Sequence, residues 1–423
     1  MTVTLPASSM NPSLPPAIVV GLDCVTGLQT ARILASHRIP VIGVAADPTH
    51  FSCRTRSCIR VEHAPSLNRP LVEAVRTIGE SISGSSVVFA CTDESVRQIS
   101  AERALLPGRV HVPLPAHDIV MRLMDKEGFA SLAREAGIPI PRTVVLRDED
   151  GVRAASRLTF PLVIKPGLKT REWLDHAPAK VLMARTPAEL DAIVTEFGPW
   201  ATGLIAQEWI VGADDSLFSC NAYFDRDGQP ATTFVARKLR QWPPGAGTSS
   251  LGEEIRNDEV REMTLRLFGA AGFHGLAYLE VKRDARTGRH YAIEPNVGRP
   301  TGRSAIAELG GVPLLLTAYR DALGIPLPDR REQRYGSAKW IYLRHDLQSA
   351  FVLWRRGALT PRAWLRSLRG VRSDAVFSVR DPMPFIHDVA QTVARRVRQR
   401  LGARSRIGAV PARSWTAGQG PGT

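Results

Sequence analysis

Two glutamates and an asparagine, Glu280, Glu294 and Asn296, sit on two short apolar segments, Leu279-Glu280-Val281-Lys282 and Tyr291-Ala292-Ile293-Glu294-Pro295-Asn296. The alternation on either side of Arg286-Thr287-Gly288 predicts a β-hairpin in which each strand carries an acid where an inward aliphatic would normally stand. Neighbouring carboxylates repel unless a cation lies between them, and hard oxygen ligands that leave room for phosphate suit magnesium. The bland alternative is a solvated hairpin whose acids face water. Flanking Ile, Val, Leu and Ala speak against that exposure. The expectation is a site at Glu280, Glu294 and Asn296 for one or two Mg²⁺ ions, with Mn²⁺ as the alternative ion.

Other chemistry-bearing residues lie upstream. Lys165 closes the apolar strand Phe160-Pro161-Leu162-Val163-Ile164-Lys165-Pro166, where a snorkelling surface lysine would look the same. A polar pair, Gln207 and Glu208, interrupts the apolar run Leu204 to Val211, and Asp214 and Asp215 follow it. Arg237, Lys238 and Arg240 make a basic cluster before Trp242-Pro243-Pro244, read either as a solvated strand end or as an anion site. Arg299 stands three residues after Asn296, placed to bind a carboxylate through its planar fork or to pair structurally with a glutamate.

These residues need elements to hold them. Ala17 to Leu22, the helical stretch Gly27 to Ser36 and Pro40 to Val44 predict a βαβ unit opening a parallel sheet, which Val87 to Cys91 continues. A dinucleotide site is the weaker reading there, because G-x-G-x-x-G is absent. A helix follows from Lys126 to Ala136, and Ser216 to Phe224 and Ala231 to Lys238 read as antiparallel strands. With 423 residues the chain is long enough for two to three domains, and no apolar run approaches the length of a membrane span. Met1 to Pro16 is polar and rich in Ser and Pro, with neither a signal nor a transit pattern, and reads as a disordered leader. Five cysteines without a metal-ligand spacing read as reduced thiols.

The net charge of +14 is concentrated at one end. From Arg331 onward there are 18 Lys and Arg against 5 Asp and Glu, whereas residues 1–330 carry 37 against 36. A neutral body with a basic end points to an acidic partner for that end and not to a basic active site. Ser349 to Arg356, Ala363 to Leu368 and Pro384 to Leu401 look helical. The last places Ile386, Val389, Val393 and Val397 on one face and Arg395, Arg396, Arg398 and Arg400 on the other. It reads either as a helix on an anionic membrane surface or as a solvated helix packed on the body through a narrow apolar stripe. Residues from Gly402 onward read as disordered. The arginine run from Arg395 to Arg400 has no aromatics between its charges and the body is neutral, so no nucleic-acid partner is expected.

The order of these parts resembles the ATP-grasp superfamily: Lys126 opening a helix, Lys165 on an apolar strand, the Gln207-Glu208 pair, then two acids and Asn296 on a late hairpin. The segments Arg237 to Pro244 and Glu294 to Arg303 look like the predicted carboxylate-amine ligases related to D-aspartate ligase. The resemblance covers residues 17–325. It implies an α/β and α+β chain: a Rossmann-like parallel sheet of the pre-ATP-grasp type over 17–117, and a two-subdomain ATP-grasp fold over 118–328. A basic helical extension over 329–401 and a tail over 402–423 would follow. It also implies an ATP-dependent ligase that converts a carboxylate to an acyl phosphate and couples it to an amine, releasing ADP and phosphate. Lys126 and Lys165 would then hold the α- and β-phosphates. Gln207, Glu208, Trp209 and Ile210 would form the hinge against adenine, Asp215 would meet the ribose, and Glu280, Glu294 and Asn296 would hold the metal. Arg299, with Lys238 and Arg237, would serve the reacting groups.

Two features depart from the superfamily pattern. No glycine-rich phosphate loop follows Lys165, leaving Lys169, Arg171 or Lys180 to replace its donors, and Arg299 stands one position late, which a bulge at Gly298 would re-aim. A small acidic carboxylate substrate, an amine acceptor, a homodimer and a cytoplasmic location, peripheral to the inner face of the membrane if the tail binds lipid, complete what is implied. Rival readings are an ATP-grasp kinase or carboxylase-like enzyme and a nucleotide-responsive binding protein docking through its basic tail.

Overall fold

The structure is a computed structural model that describes residues 14–64, 70–167, 170–177, 181–201, 203–336 and 338–404. Most of the leader, the tail beyond Arg404, Lys169, Lys180 and the side chain of Arg171 lie outside the described residues.

Continuous apolar runs such as Ala17-Ile18-Val19-Val20, with no accessible surface at any of the four, are what a sheet covered on both faces requires. They form a parallel sheet of β1 (Ala17–Val20), β2 (Val41–Ala45), β3 (Arg60–His63), β4 (Ser86–Ala90) and β5 (Val110–His111), in the order β3-β2-β1-β4-β5. A small antiparallel sheet follows, made of β6 (Thr143–Leu146), β7 (Leu162–Pro166), β8 (Leu182–Ala184) and β9 (Leu204–Glu208), ordered β6-β9-β7-β8. It has its own core around Trp173, Ile164, Leu190 and Ala206.

The third sheet has seven strands: β10 (Leu217–Phe224), β11 (Pro230–Trp242), β12 (Thr248–Glu254), β13 (Gly275–Arg283), β14 (His290–Val297), β15 (Lys339–Ile341) and β16 (Val371–Asp374). Their order is β14-β13-β10-β11-β12-β15-β16. This sheet shares core with the first one: Ile18 and Val44 pack in one cluster with Leu279 and Val281, and Leu28 and Phe89 in another with Phe234 and Trp340. The small sheet is thus the separately packed part, and a cleft separates it from the rest.

The C-terminal extension differs from the expectation of helices alone. It supplies β15 and β16, with β15 pairing antiparallel to β12, so the large sheet runs past residue 328. Three residues of β15 were too few to carry a periodic signal. The helix Met383–Arg404 also sits the other way round. It docks through Asp388, paired with Arg344 at 3.0 Å, and through Gln391, which donates to the Thr49 carbonyl at 2.8 Å. Ile386, Val389 and Val393 face outward, so the apolar stripe is not what holds the helix to the body. The side chains of Arg395, Arg396, Arg398 and Arg400 lie outside the described residues. Among the described residues no helix is long and apolar enough to cross a membrane.

Candidate active site

The hairpin forms as expected, and a one-residue irregularity in its ladder sets the acids side by side. Glu280 on β13 lies directly opposite Glu294 on β14, and Tyr278 opposite Asn296, so all four share one face. The ladder slips by one residue at Ile293, between the Glu280/Glu294 and Val281/Ala292 pairs. The expected bulge at Gly298 is absent. Gly298 instead takes a left-handed φ of 67°, and a Cβ there would lie 2.3 Å from Leu114 Cδ2, so only glycine lets the chain turn and carry Arg299 back over the strand.

Each acid meets a lysine. Lys126 is positioned by the N-cap Asp125, whose carboxylate accepts from the Gly128 amide at 2.7 Å, and its Nζ lies 2.8 Å from Glu294 Oε1. Lys238 Nζ lies 3.1 Å from Glu280 Oε1. Strand parity decides which members of the basic cluster reach the site. Glu280 pairs with Ser219 and Ser219 with Ala236, so Lys238, two residues on, shares their face. Arg237 pairs with Phe218 on the opposite face and is bonded to Glu253. Arg240, after an irregularity in β11, forms a buried ion pair with Asp346. The placement of Arg237 and Arg240 at the site is thereby corrected, and Lys238 remains.

Across the cleft, Lys165 and Val163 of β7 alternate with the core residue Ile164 and face outward from the small sheet. Lys165 Nζ donates to Gln207 Oε1 at 2.9 Å, and Gln207 Nε2 donates to Thr143 Oγ1 at 3.0 Å. The hinge segment needs revision in detail. The amides of Glu208 and Trp209 donate to the carbonyls of Arg142 and Pro161, and the Glu208 carboxylate accepts from the Thr159 amide, so these groups serve the fold. What Trp209 brings to the cleft is its ring, with Lys282 Nζ 3.8 Å from the ring centroid. Burial is the main cause that lowers the Lys282 ammonium to about 8. Asp215 is exposed and lies outside the cavity lining, because the short 3₁₀ turn Asp214–Ser216 directs Asp214 inward instead, to Gln241 Nε2 at 2.7 Å.

Two cavities meet at the acid pair. The narrower, about 110 Å³, lies between the small and large sheets and includes Lys126, Lys165, Gln207, Trp209, Ile210 and Lys282. The wider, about 980 Å³, opens on the other side, towards the loops after β1 and β2 and the C-terminal extension. Lys238, Gly247, Glu280 and Glu294 line both. Arg299 faces the wider cavity but is heavily engaged, donating to Asp93, to Asn296 Oδ1 and to the Tyr278 hydroxyl.

Among the described residues no group of three or more His, Cys, Asp or Glu could hold a metal. The donor set is two carboxylates with Asn296, which fits Mg²⁺ because that ion commonly takes one or two carboxylates and completes its shell with phosphate oxygens and water. Lys126 and Lys238 balance the same two acids, and phosphate oxygens can take over those lysines as an ion takes the carboxylates.

Sequence reasoning missed several residues of the two cavities. Lys282 follows Glu280 by two positions on the same strand, so period-two reading could have found it. Arg303, Trp340, Arg344 and His345 line the wider cavity, and for Trp340 and its neighbours the sequence carries no local signal.

No family model matches the chain. Over 279 residues it is 25% identical to the D-aspartate ligase of Enterococcus faecium, covering 61% of this chain and 64% of that one. Over 189 residues it is 25% identical to the D-alanine–D-alanine ligase of Pseudomonas entomophila, covering 41% of this chain and 54% of the relative. The chain thus spans about half to two thirds of the length of these relatives. Its fold is similar to that of an N5-carboxyaminoimidazole ribonucleotide synthetase solved with ADP, at a TM-score of 0.62 and 12% identity, covering 82% of this chain and 87% of that one.

Proposed function

Because the chain belongs to the ATP-grasp superfamily, we propose that it is an ATP-dependent carboxylate-amine ligase with its nucleotide in the narrower cavity and its second substrate in the wider one. The observation that carries this reading is the shared wall: Lys238, Gly247, Glu280 and Glu294 border both cavities, so a phosphoryl group on one side can reach an acceptor on the other.

In the proposed reaction a carboxylate oxygen attacks the γ-phosphorus, the bond to the bridging oxygen breaks and ADP leaves. The acyl phosphate is then attacked at its carbonyl carbon by an amine, whose C–N bond forms as phosphate departs and the nitrogen loses a proton to solvent. Such a transfer rests on positioning and on charge around the phosphates. Lys165 and Lys126 would hold phosphate oxygens, and the Trp209 ring would border the base. Lys238 would face the transferring group. Bound Mg²⁺ at Glu280, Glu294 and Asn296 would neutralise phosphate charge. The substrate class proposed is a small acidic carboxylate with an amine acceptor. The outward face of the C-terminal extension would rest on an anionic membrane.

The test is Mg²⁺-dependent ADP release against amino-acid carboxylates, each with and without candidate amines, with Lys165→Ala as the blank. Release that needs both partners supports the ligase. ADP release with a carboxylate alone, unchanged by any amine, would replace it with a kinase-like activity.

A further inference from the structure

Around the wider cavity, polar groups are satisfied unevenly. Arg299 uses all three of its nitrogens on Asp93, Asn296 and Tyr278. Arg303, four residues on, is 8% exposed; its Nη2 donates to Ser219 Oγ at 3.2 Å, and its Nη1 is buried with no partner among the described residues. Trp340, 2% exposed, likewise has an Nε1 with no partner. Both residues line the wider cavity. A buried donor left unmatched costs about 1–3 kcal/mol, and a charged one more, so these two donors, beside Ser249 Oγ and His345 Nδ1 of the same wall, which likewise have no partner among the described residues, call for a ligand that accepts from them.

The sheet register brings these two residues together. Gly252 of β12 pairs with Lys238 on one side and with Trp340 on the other, so Lys238 and Trp340 flank it on one face. A Cβ at Gly252 would lie 3.8 Å from Arg303 Cδ, which places the arginine stem over this glycine. The Arg303 guanidinium continues to Ser219, the cross-strand neighbour of Glu280. The row therefore runs from the proposed metal acids through Arg303 to Trp340, and the last of these belongs to the C-terminal extension.

We propose that Arg303 Nη1 and Trp340 Nε1 form the subsite that holds the substrate carboxylate, and that Arg299 is a positioning residue which fixes Asn296 and Tyr278. This rests on the ligase reading and assigns its acid-binding residues. A carboxylate supplies acceptors for both donors, and a guanidinium N–H with an indole N–H gives it one charged and one neutral contact. The extension then completes the site, because without β15 the subsite would lose half of its donors.

Trp340→Phe tests this, since it removes the N–H; because it also deletes part of a buried bicyclic ring, the melting temperature without ligand is compared with that of wild type to separate lost packing from lost acid binding. Two readouts separate the possibilities: Mg·ADP affinity by calorimetry, and the concentration of aspartate, glutamate or succinate that half-maximally raises the melting temperature of the Mg·ADP complex. In a separate assay with Mg·ATP and hydroxylamine, the acyl phosphate formed from the γ-phosphoryl group is trapped as hydroxamate with release of phosphate. The expected result is unchanged Mg·ADP affinity with half-saturation by the carboxylate raised about tenfold or more, the loss of one hydrogen bond to a charged group. Arg303→Lys should weaken it as well and lower hydroxamate yield, while Arg299→Lys should lower yield at saturation with little change in half-saturation. Half-saturation within twofold of wild type in Trp340→Phe overturns the subsite. So does a wild-type protein that binds Mg·ADP but responds to none of the three acids. Failure of the wild type to bind Mg·ADP would instead overturn the ligase reading itself.

Discussion

Asp346→Asn should loosen the C-terminal extension from the site it helps to build. Asp346 has no accessible surface, and it accepts from Arg240 Nε and Nη2, both at 2.9 Å, from Trp364 Nε1 at 2.9 Å and from Ser250 Oγ at 3.2 Å. Arg240 is itself 5% exposed and comes from the central strand β11, whereas Asp346 and Trp364 come from the two helices Leu343–Arg355 and Pro361–Ser367. The carboxamide keeps the shape and one acceptor but turns an amino group towards donors and leaves the guanidinium charge uncompensated. Breaking a buried pair in this way costs about 3–5 kcal/mol. Urea unfolding followed by tryptophan fluorescence should show an earlier transition for the variant, and limited proteolysis should cut first between residues 343 and 376. An apolar pair, Arg240→Met with Asp346→Leu, should recover part of the loss, because both desolvated charges are then gone while Trp364 Nε1 and Ser250 Oγ still lose their acceptor. A shift below about 1 kcal/mol in Asp346→Asn would refute the claim that this pair anchors the extension.

Glu294→Gln should leave the circular dichroism spectrum unchanged and lower Mg²⁺-dependent ATP turnover at least a hundredfold; turnover at the wild-type level would remove Glu294 from the metal site. Gly298→Ala should destabilise the fold by about 1–3 kcal/mol in chemical denaturation, since it adds a Cβ against Leu114 at a φ of 67°. His345 should make stability pH-dependent. Burial, reinforced by the Arg344 charge, lowers it to about 4 from an ordinary 6.5, so its contribution is present above 6.5 and is lost as pH falls from there towards 4. The fall in melting temperature between pH 7 and pH 5 should be smaller in His345→Gln, and an equal fall would contradict the assignment. The outward face of the extension should adsorb to vesicles containing phosphatidylglycerol and not to neutral ones. Of the four carboxylates within 339–394, Asp346, Asp381 and Asp388 are buried and Asp374 is half-buried, while Arg355, Arg356 and Arg366 are exposed beside Phe351, Trp354 and Leu365. Equal sedimentation with both vesicle types, or retention by single-stranded nucleic acid alone, would count against it.

Local pattern carried the site as far as strand periodicity reaches. Alternation was enough to predict the hairpin but not the pairing of its acids: the register set by the turn would put Glu280 opposite Ile293, and only the one-residue slip at Ile293 brings Glu294 onto its face. Alternation also failed for Arg237. Whether Arg237 or Lys238 faces the acids depends on pairing through β10, and a shift of one residue exchanges them. Asp214 and Asp215 were ambiguous for a similar reason, since a 3₁₀ turn separates adjacent side chains by about a third of a turn, and only one can point inward.

The C-terminal extension shows a different limit. Its charge asymmetry was plain from composition, but its strands were not, because β15 is three residues long and is held by β12, almost ninety positions earlier. Periodicity reports which face of an element is apolar and says nothing about what covers that face. In the helix Met383–Arg404 the docking groups Asp388 and Gln391 are polar and the aliphatic stripe is left outside. A soluble body would normally spend such a stripe on its core. Here the inner face carries the Arg344–Asp388 ion pair, whose arginine also lines the wider cavity, together with Phe385 packed on the core, and the outer face retains Ile386, Val389 and Val393. That division gives the two vesicle and carboxylate experiments independent targets: removing Trp340 Nε1 should change acid binding without altering adsorption, and replacing Phe351 and Trp354 with serine should do the reverse. If either substitution changed both, the extension would be acting as one coupled unit and the assignment of separate faces would fail.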